Sequence, residues 1–526
     1  MIRPVAEIMD FTPLASKILR LKSLRTDRWA DTGEDLQTAQ LRGLLSRAAD
    51  TEIGRRHGYA ELKKLKDPRN EFAARVPMVS YEEIRADVMR MVAGDRDVLW
   101  RGVCRSFAQS SGTSGGRSKY IPITDENLRR CHYYGASYSV SHYLRRNPES
   151  RLFSGKSMIL GGSFDNEVRP ADPRVRIGDL SATLIDRINP VVNLFRIPDK
   201  RTALMIDWER KLPALVEASA FADITSISGV PSWFLTVIKR VMERRGADRI
   251  SDVWPNLEVF FHGGISFDPY RDIYAGITDP DKMHFMESYN ASEGFFAAQD
   301  RIGEPGMMLI LDNDVYYEFI DMADPLSESV DISGLEEGHN YEMIVTSSNG
   351  LWRYRIGDTV RVVTVNPVRI MVSGRTKSFI NAFGEELMEE NAEHALAETC
   401  ARHDAAIANY TAAPVYASDH KRGRHQWIVE WSRTPSDMRA FATDLDDTLR
   451  RLNSDYDAKR KNTIFLDPLE ITNVPAGTFD KWLKTMGNGK LGGQRKIPRL
   501  CNDRHIADKV LASAGLLKPR VTPLSR

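Results

Sequence analysis

Four cysteines in 526 residues, Cys104, Cys131, Cys400 and Cys501, are few and scattered, with no C-x-x-C pair and no histidines at metal-ligand spacing. That pattern excludes a disulfide framework and a structural zinc site, and it predicts a reducing, cytoplasmic compartment. Surplus charge is lacking too, since 73 basic side chains face 72 acidic ones for a formal net charge of +1. A protein whose main work is gripping nucleic acid carries a basic excess, so that class is excluded. No run approaches the roughly 20 apolar residues that cross a bilayer, so no membrane span is expected. The N-terminal stretch is broken by Arg3, Glu7 and Asp10 before any apolar run forms and predicts no signal peptide. Repeats and low-complexity tracts are absent, and no obligate protein partner is evident. What is present, 42% hydrophobic and 28% charged residues, is the composition of an ordinary globular protein. At roughly 150 residues per domain, the length suits one large domain plus a smaller one.

The first hundred residues read as helices. Leu36, Leu41, Leu44 and Leu45 share a helical face, and Ser80-Tyr81-Glu82-Glu83 forms a capping box ahead of Ile84, Val88, Met91 and Val92. From about 103 the text alternates short apolar runs with amphipathic helices. The runs at 156–162, 223–230, 257–264 and 283–289 predict strands, and Pro231 opens a helix through Arg244. Residues 307–373 turn to strands and hairpins. Ser373-Gly374-Arg375-Thr376-Lys377 is a polar breaker, after which a new αβ pattern predicts helices at 385–400 and 436–453 and strands at 425–431 and around 464. A boundary is therefore expected at 374–378, dividing a domain of 1–373 from one of 379–526.

The strongest local signal is SFAQSSGTSGGRSKYIPIT at 106–124. Seven consecutive small residues, Ser110, Ser111, Gly112, Thr113, Ser114, Gly115 and Gly116, bury almost nothing and carry a backbone entropy penalty. They suit a loop that wraps phosphate, with backbone N–H groups and hydroxyls as donors and Arg117 or Lys119 supplying charge. The alternative is a plain surface loop. A Walker phosphate loop is excluded because Lys119 lacks the Gly-Lys-Ser/Thr spacing. Gly112 to Gly116 also satisfies the G-x-S-x-G elbow of hydrolases with Ser114 as nucleophile, but an elbow leads into a helix, whereas Tyr120-Ile121-Pro122 is extended. Gly487 to Gly492 mimics a dinucleotide fingerprint without the strand and helix that give it meaning.

Four segments then occur in order: SSGTSGGRSK, Tyr289-Asn290-Ala291-Ser292-Glu293-Gly294, Tyr354-Arg355-Ile356-Gly357-Asp358, and Gln494-Arg495-Lys496-Ile497-Pro498-Arg499. Together, across about 30–510, they resemble the acyl acid amido synthetase family, the auxin-responsive proteins within the adenylate-forming superfamily. GRTKSFINAFGEELMEENAE and NSDYDAKR are similar to its bacterial branch. The resemblance implies an α/β fold, in which a large N-terminal domain has mixed β-sheets, a β-barrel-like part and flanking helices. A smaller C-terminal α/β domain follows, joined by a hinge. It implies an ATP- and Mg²⁺-dependent ligase that adenylates a carboxylic acid and passes the acyl group to an amino acid or other amine. An acyl-CoA ligase shares the first half-reaction and is the alternative; a serine hydrolase using Ser114 is a more distant one.

Residue roles follow from the same resemblance. Ser110 to Ser114 with Lys119 would grip the triphosphate. Tyr289 would stack on adenine, beside Asn290 and Ala291, with Ser292 at the α-phosphate and Glu293 holding Mg²⁺ through oxygen. Otherwise Tyr289 is a core aromatic. Asp358 would accept from the ribose hydroxyls, with Arg355 as its structural neighbour, unless Gly357-Asp358 is only a hairpin turn. Arg375 would support ribose and phosphate. Gly263 and Gly264, after Phe260-Phe261-His262, would turn along the adenine, His262 being structural. Lys496 would stabilise charge at the α-phosphorus, with Lys490 as competitor, unless both belong to a solvated basic tail. Ser228, Val230 and Trp233, with Phe234 nearby and a helix at 128–142, would line an acyl pocket suited to an aromatic or medium apolar acid.

Overall fold

The computed structural model describes residues 10–110, 119–164, 170, 172–265, 267, 270–376, 379–416, 422–461, 466–485 and 497–516. Two compact units divide between Thr376 and Lys377.

The first unit opens with helices Thr12–Arg25, Trp29–Ala48, Glu52–His57, Tyr59–Leu62, Arg69–Arg75 and Tyr81–Ala93. The capping box forms, with the Ser80 N–H donating to Glu83 Oε2 at 2.6 Å, and it directs Val88, Met91 and Val92 into the core. Beyond them runs an eleven-stranded sheet. One half is parallel: Arg196–Ile197, Lys156–Ile159, Ile224–Gly229, Val259–Gly263 and His284–Ala291 follow one another across it. Helices cover these strands; Pro231–Arg245 and Arg271–Ile277 pack Phe234, Val237 and Tyr274 against Ile227 and Phe260. The other half is antiparallel, with Gly294–Ala298, Met307–Leu309, Val368–Arg375, Leu351–Val365, Asn340–Ser347 and Val315–Asp321 in spatial order. These strands, for which a barrel-like part is expected, are continuous in hydrogen bonding with the parallel half. Gly357 and Asp358 are not a hairpin turn. They lie inside the fifteen-residue strand Leu351–Val365, whose pairing is irregular on both sides, with Gly357 at φ +88°.

The second unit lays helices Glu389–Arg402 and Met438–Leu452 against a three-stranded sheet of Ala406–Val415, Arg424–Arg433 and Glu470–Val474. Phe441, Leu445 and Leu449 pack on Trp427 and Tyr410. Asp437 caps the second helix by accepting from the N–H groups of Arg439 and Ala440. Two expectations need correction here, and one strand was not foreseen. The helix expected from 385 starts at Glu389, because Leu387–Met388 pairs instead with Phe379–Ile380 and the Met388 N–H donates to Asn391 Oδ1. The last strand lies at Glu470–Val474 rather than around 464, and residues 462–465 are outside the described set. The strand Ala406–Val415 went unread because Ala and Asn carry little strand propensity; cross-strand pairing with Arg424–Arg433 stabilises it.

Candidate nucleotide and acyl site

The parallel strands end together, and register shows what they bring to one edge. Ser228 pairs with Phe261, Gly229 with His262, and Gly263 with Ser288. Expected acyl-pocket, adenine-turn and nucleotide residues therefore share the carboxyl ends of adjacent strands, where open α/β sheets bind ligands. Gly263 is required by proximity: a Cβ there would sit 2.3 Å from the Ser288 carbonyl oxygen. Gly264 has φ +83°, and a Cβ on it would lie 3.5 Å from Val230 Cγ2, so the turn and Val230 are neighbours. Trp233, half-buried in the first turn of its helix, meets Trp208 edge-on at 6.4 Å. Phe234 is fully buried on Phe260 and belongs to the core rather than to a pocket wall.

The hairpin from His284–Ala291 into Gly294–Ala298 turns at Ser292-Glu293, and its neighbours form a charged cluster in a dry setting. Tyr289 is buried and donates its hydroxyl to Asp358 Oδ2 at 2.7 Å. Arg375 donates from Nε to Asp358 Oδ1 at 2.8 Å, and the two residues face each other across the ladder. Asp358 is thus fixed from two sides, and each oxygen keeps a lone-pair direction for a further donor. Tyr289 also packs on Phe296 at 5.1 Å, so it combines the core role with a grip on Asp358. Arg355 is not Asp358's partner; it pairs with Glu342, Nε to Oε1 at 3.0 Å, because alternation along the strand sends it to the other face.

Glu293 is buried, and burial pushes its carboxyl up to about 7, with Lys119 opposing and Asp358 adding to the rise. Lys119 is itself buried at the start of Lys119–Pro122, 5.9 Å above the Tyr81 ring. The Tyr81 hydroxyl accepts from the Tyr120 N–H at 2.8 Å. Reading the sequence missed Tyr81 and Tyr354. The Tyr354 hydroxyl is fully buried without a hydrogen-bond partner among the described residues, and burial first, then the charges of Glu293 and Asp358, raise its pKa. Its place in Tyr354-Arg355-Ile356-Gly357-Asp358 was the available signal. His262 is structural as expected: it stacks on Phe267 at 4.2 Å, and burial lowers its pKa to about 3.

Ser110 ends the strand Ser106–Ser110 and is paired in register with Lys119. Ser111, Gly112, Thr113 and Ser114 lie outside the described residues, as do Lys490 and Lys496. Asn290 and Ala291 are half-buried at the strand end and Ser292 at the turn. Among the described residues no group of three His, Cys, Asp or Glu side chains could hold a metal by itself. Mg²⁺ is commonly held by one or two carboxylates plus substrate phosphates, and the buried Glu293 carboxylate fits that donor set.

Three domain descriptions match the chain: GH3 family N-terminal domain over residues 26–171, central domain over 308–375 and C-terminal domain over 390–505. The chain belongs to the GH3 family. This GH3 chain is 25% identical to the probable indole-3-acetic acid-amido synthetase GH3.4 of Oryza sativa subsp. japonica, across 81% of its length and 80% of the relative's. It is 23% identical to the indole-3-acetic acid-amido synthetase GH3.4 of Arabidopsis thaliana, across 89% of each. These plant relatives bear on the family and not on a bacterial branch within it. Among solved structures it resembles the AtGH3.15 acyl acid amido synthetase in complex with 2,4-DB, with TM-score 0.59, 22% identity and coverage of 94% and 96%. A 2-hydroxyisobutyryl-CoA ligase in complex with 2-HIB-AMP and CoA shares the fold at TM-score 0.53 and 13% identity, covering 91% of each chain. The GH3 chain is an enzyme of the ligase class. No helix among its described residues is long and apolar enough to cross a membrane.

Proposed function

We propose that this chain is an acyl acid amido synthetase that joins a carboxylic acid to an amino acid or another amine, releasing AMP and pyrophosphate. The observation that carries the reading is Asp358 clamped between Tyr289 and Arg375, next to the buried pair of Glu293 and Lys119. A carboxylate does not acylate an amine in water, so ATP first converts it to a mixed anhydride with AMP.

In this reading Asp358 accepts from the ribose hydroxyls, and Arg375 and Tyr289 hold its carboxylate in place before the nucleotide arrives, which lowers the reorganisation needed on binding. The segment Ser110 to Ser114 with Lys119 receives the triphosphate, Ser292 the α-phosphate, and Gly263 and Gly264 the edge of the adenine ring alongside Asn290 and Ala291. Glu293 is the carboxylate for Mg²⁺, which when bound neutralises charge on the phosphate oxygens. Lys496 stabilises the charge that gathers at the α-phosphorus, and Ser228, Val230 and Trp233 contact the acyl group. The reading divides the chain into an adenylation domain of 1–373, a hinge at 374–378 and a small domain of 379–526; a compact-unit division between Thr376 and Lys377 supports it. It includes a cytoplasmic location, supported by the free state of Cys104, Cys131, Cys400 and Cys501.

The test is acid-dependent exchange of labelled pyrophosphate into ATP across a panel of carboxylic acids, which detects adenylation before the acceptor is known. Product mass after adding amino acids, or CoA, then separates an amide-forming enzyme from a thioester-forming one. Absence of exchange with every acid would refute the reading.

A further inference from the structure

A polar cavity of about 230 Å³ lies in the first unit, lined by none of the residues of the cluster around Asp358. Its wall is built by helix Tyr134–Arg146, by residues just beyond strand Gly294–Ala298, and by the start of strand Val368–Arg375. The last strand carries Arg369 in this wall and Arg375 at the nucleotide cluster. Six residues of strand at about 3.3 Å each separate them by roughly 20 Å.

Four guanidinium groups line the cavity, those of Arg145, Arg146, Arg301 and Arg369, against the carboxylates of Asp27 and Asp300. Arg145 is matched by Asp27 at 2.7 Å and Arg369 by Asp300 at 2.7 Å, while Arg301 reaches Glu304 at 2.9 Å. Arg146 has no carboxylate partner among the described residues; only its Nε is used, donating to the Asp300 carbonyl at 3.0 Å. Both terminal nitrogens of its fork are left for another acceptor. His142, one helical turn before Arg146, is 2% exposed and has no hydrogen-bond partner for Nε2. Burial lowers its pKa to about 4, so it is neutral and offers one donor and one acceptor. A guanidinium fork without a carboxylate partner and an unsatisfied buried imidazole, one turn apart on one wall, offer donors to an anion.

We propose that this cavity binds a small phosphate-type anion, either inorganic phosphate or the phosphate of a monoester, at a site separate from the nucleotide site. Its ligand is an effector rather than a reactant, because it lies about 20 Å of strand from the groups that face the triphosphate.

The experiment is calorimetric titration of the full-length protein with inorganic phosphate and with glycerol phosphate at fixed ionic strength. A non-hydrolysable ATP analogue is present in excess to occupy the nucleotide site. Saturable binding to the native chain is expected, weakened about tenfold or more in Arg146→Gln and less in Arg301→Gln, as for loss of charge-assisted hydrogen bonds. Both positions are solvent-facing, and far-UV circular dichroism verifies that the variants fold. Tighter binding of the ester identifies a phosphomonoester as the ligand, and equal binding identifies free phosphate; both support the site. No saturable binding to the native chain, or unchanged binding in both folded variants, overturns it. Loss of binding in Lys119→Ala with retention in Arg146→Gln would also overturn it, by assigning the heat to the triphosphate loop.

Discussion

Arg353 and Asp358 stand five residues apart on one strand, and the ion-pair networks around them are built to different ends. Arg353 is satisfied at every nitrogen: Nε meets both oxygens of Glu318 at 3.1 and 3.0 Å, Nη1 donates to the carbonyls of Ala73 and Val76, and Nη2 to Ser329. This network pins the helical N-terminal region to the sheet and leaves nothing for a ligand. The network around Asp358 is less deeply buried, with Arg375 23% exposed, and it is incomplete. Glu293 is held up to about 7 with Lys119 as its counter-charge, and the Tyr354 hydroxyl has no partner. Complete buried networks fix a structure, whereas a protein retains an incomplete one where a ligand finishes it.

That contrast can be broken most sharply at its two carboxylates. Glu293→Gln is expected to lower pyrophosphate exchange by about a thousandfold, the scale of several kcal/mol supplied by a metal at the phosphates, while leaving the unfolding midpoint unchanged or higher. Arg353→Met should do the reverse. It strands Glu318 in the core and lowers unfolding free energy by about 3–5 kcal/mol in urea titration, with exchange per folded molecule retained. If Glu293→Gln instead lowers the unfolding free energy by a similar amount and retains exchange per folded molecule, the distinction between the two networks fails.

Lys496→Ala is expected to depress adenylation about a hundredfold as a preorganised charge is lost, with Lys490→Ala near native; the opposite order would move the role to Lys490. A smaller effect concerns pH. The Glu293 carboxyl ionises near 4.5 when unfolded and near 7 when folded, so the folded state binds the extra proton between those values. Stability from this group therefore falls as pH rises through that window and levels off above about 7, a slope Glu293→Gln should lack in urea titrations. Exchange at low Mg²⁺ should rise across the same range, because the ionised form is the metal ligand. Least of all, Tyr354→Phe should change stability by under about 1 kcal/mol, since the hydroxyl it removes is unpaired. Its KM for ATP should rise a few-fold if the nucleotide supplies the missing partner.

The sequence showed the capped helix at Ser80, the strands that carry Ser228, Gly263 and Tyr289, and the order of four segments, because each rests on local spacing or a contiguous string. It did not show that Arg355 turns to Glu342, which depends on strand phase around the bulge at Gly357. Neither did it show the helix start at Glu389, which a two-residue strand pairing postpones, or the strand Ala406–Val415, whose stability comes from its neighbour.

Composition, capping and contiguous motifs are properties of neighbours along the chain, and they determined the α/β character, the candidate chemistry and the kinds of residue that perform it. The protonation of Glu293, the clamp on Asp358 and the cavity beside Arg146 join residues up to hundreds of positions apart. They depend on burial and on which strand edge meets which, quantities that exist only once the chain has folded.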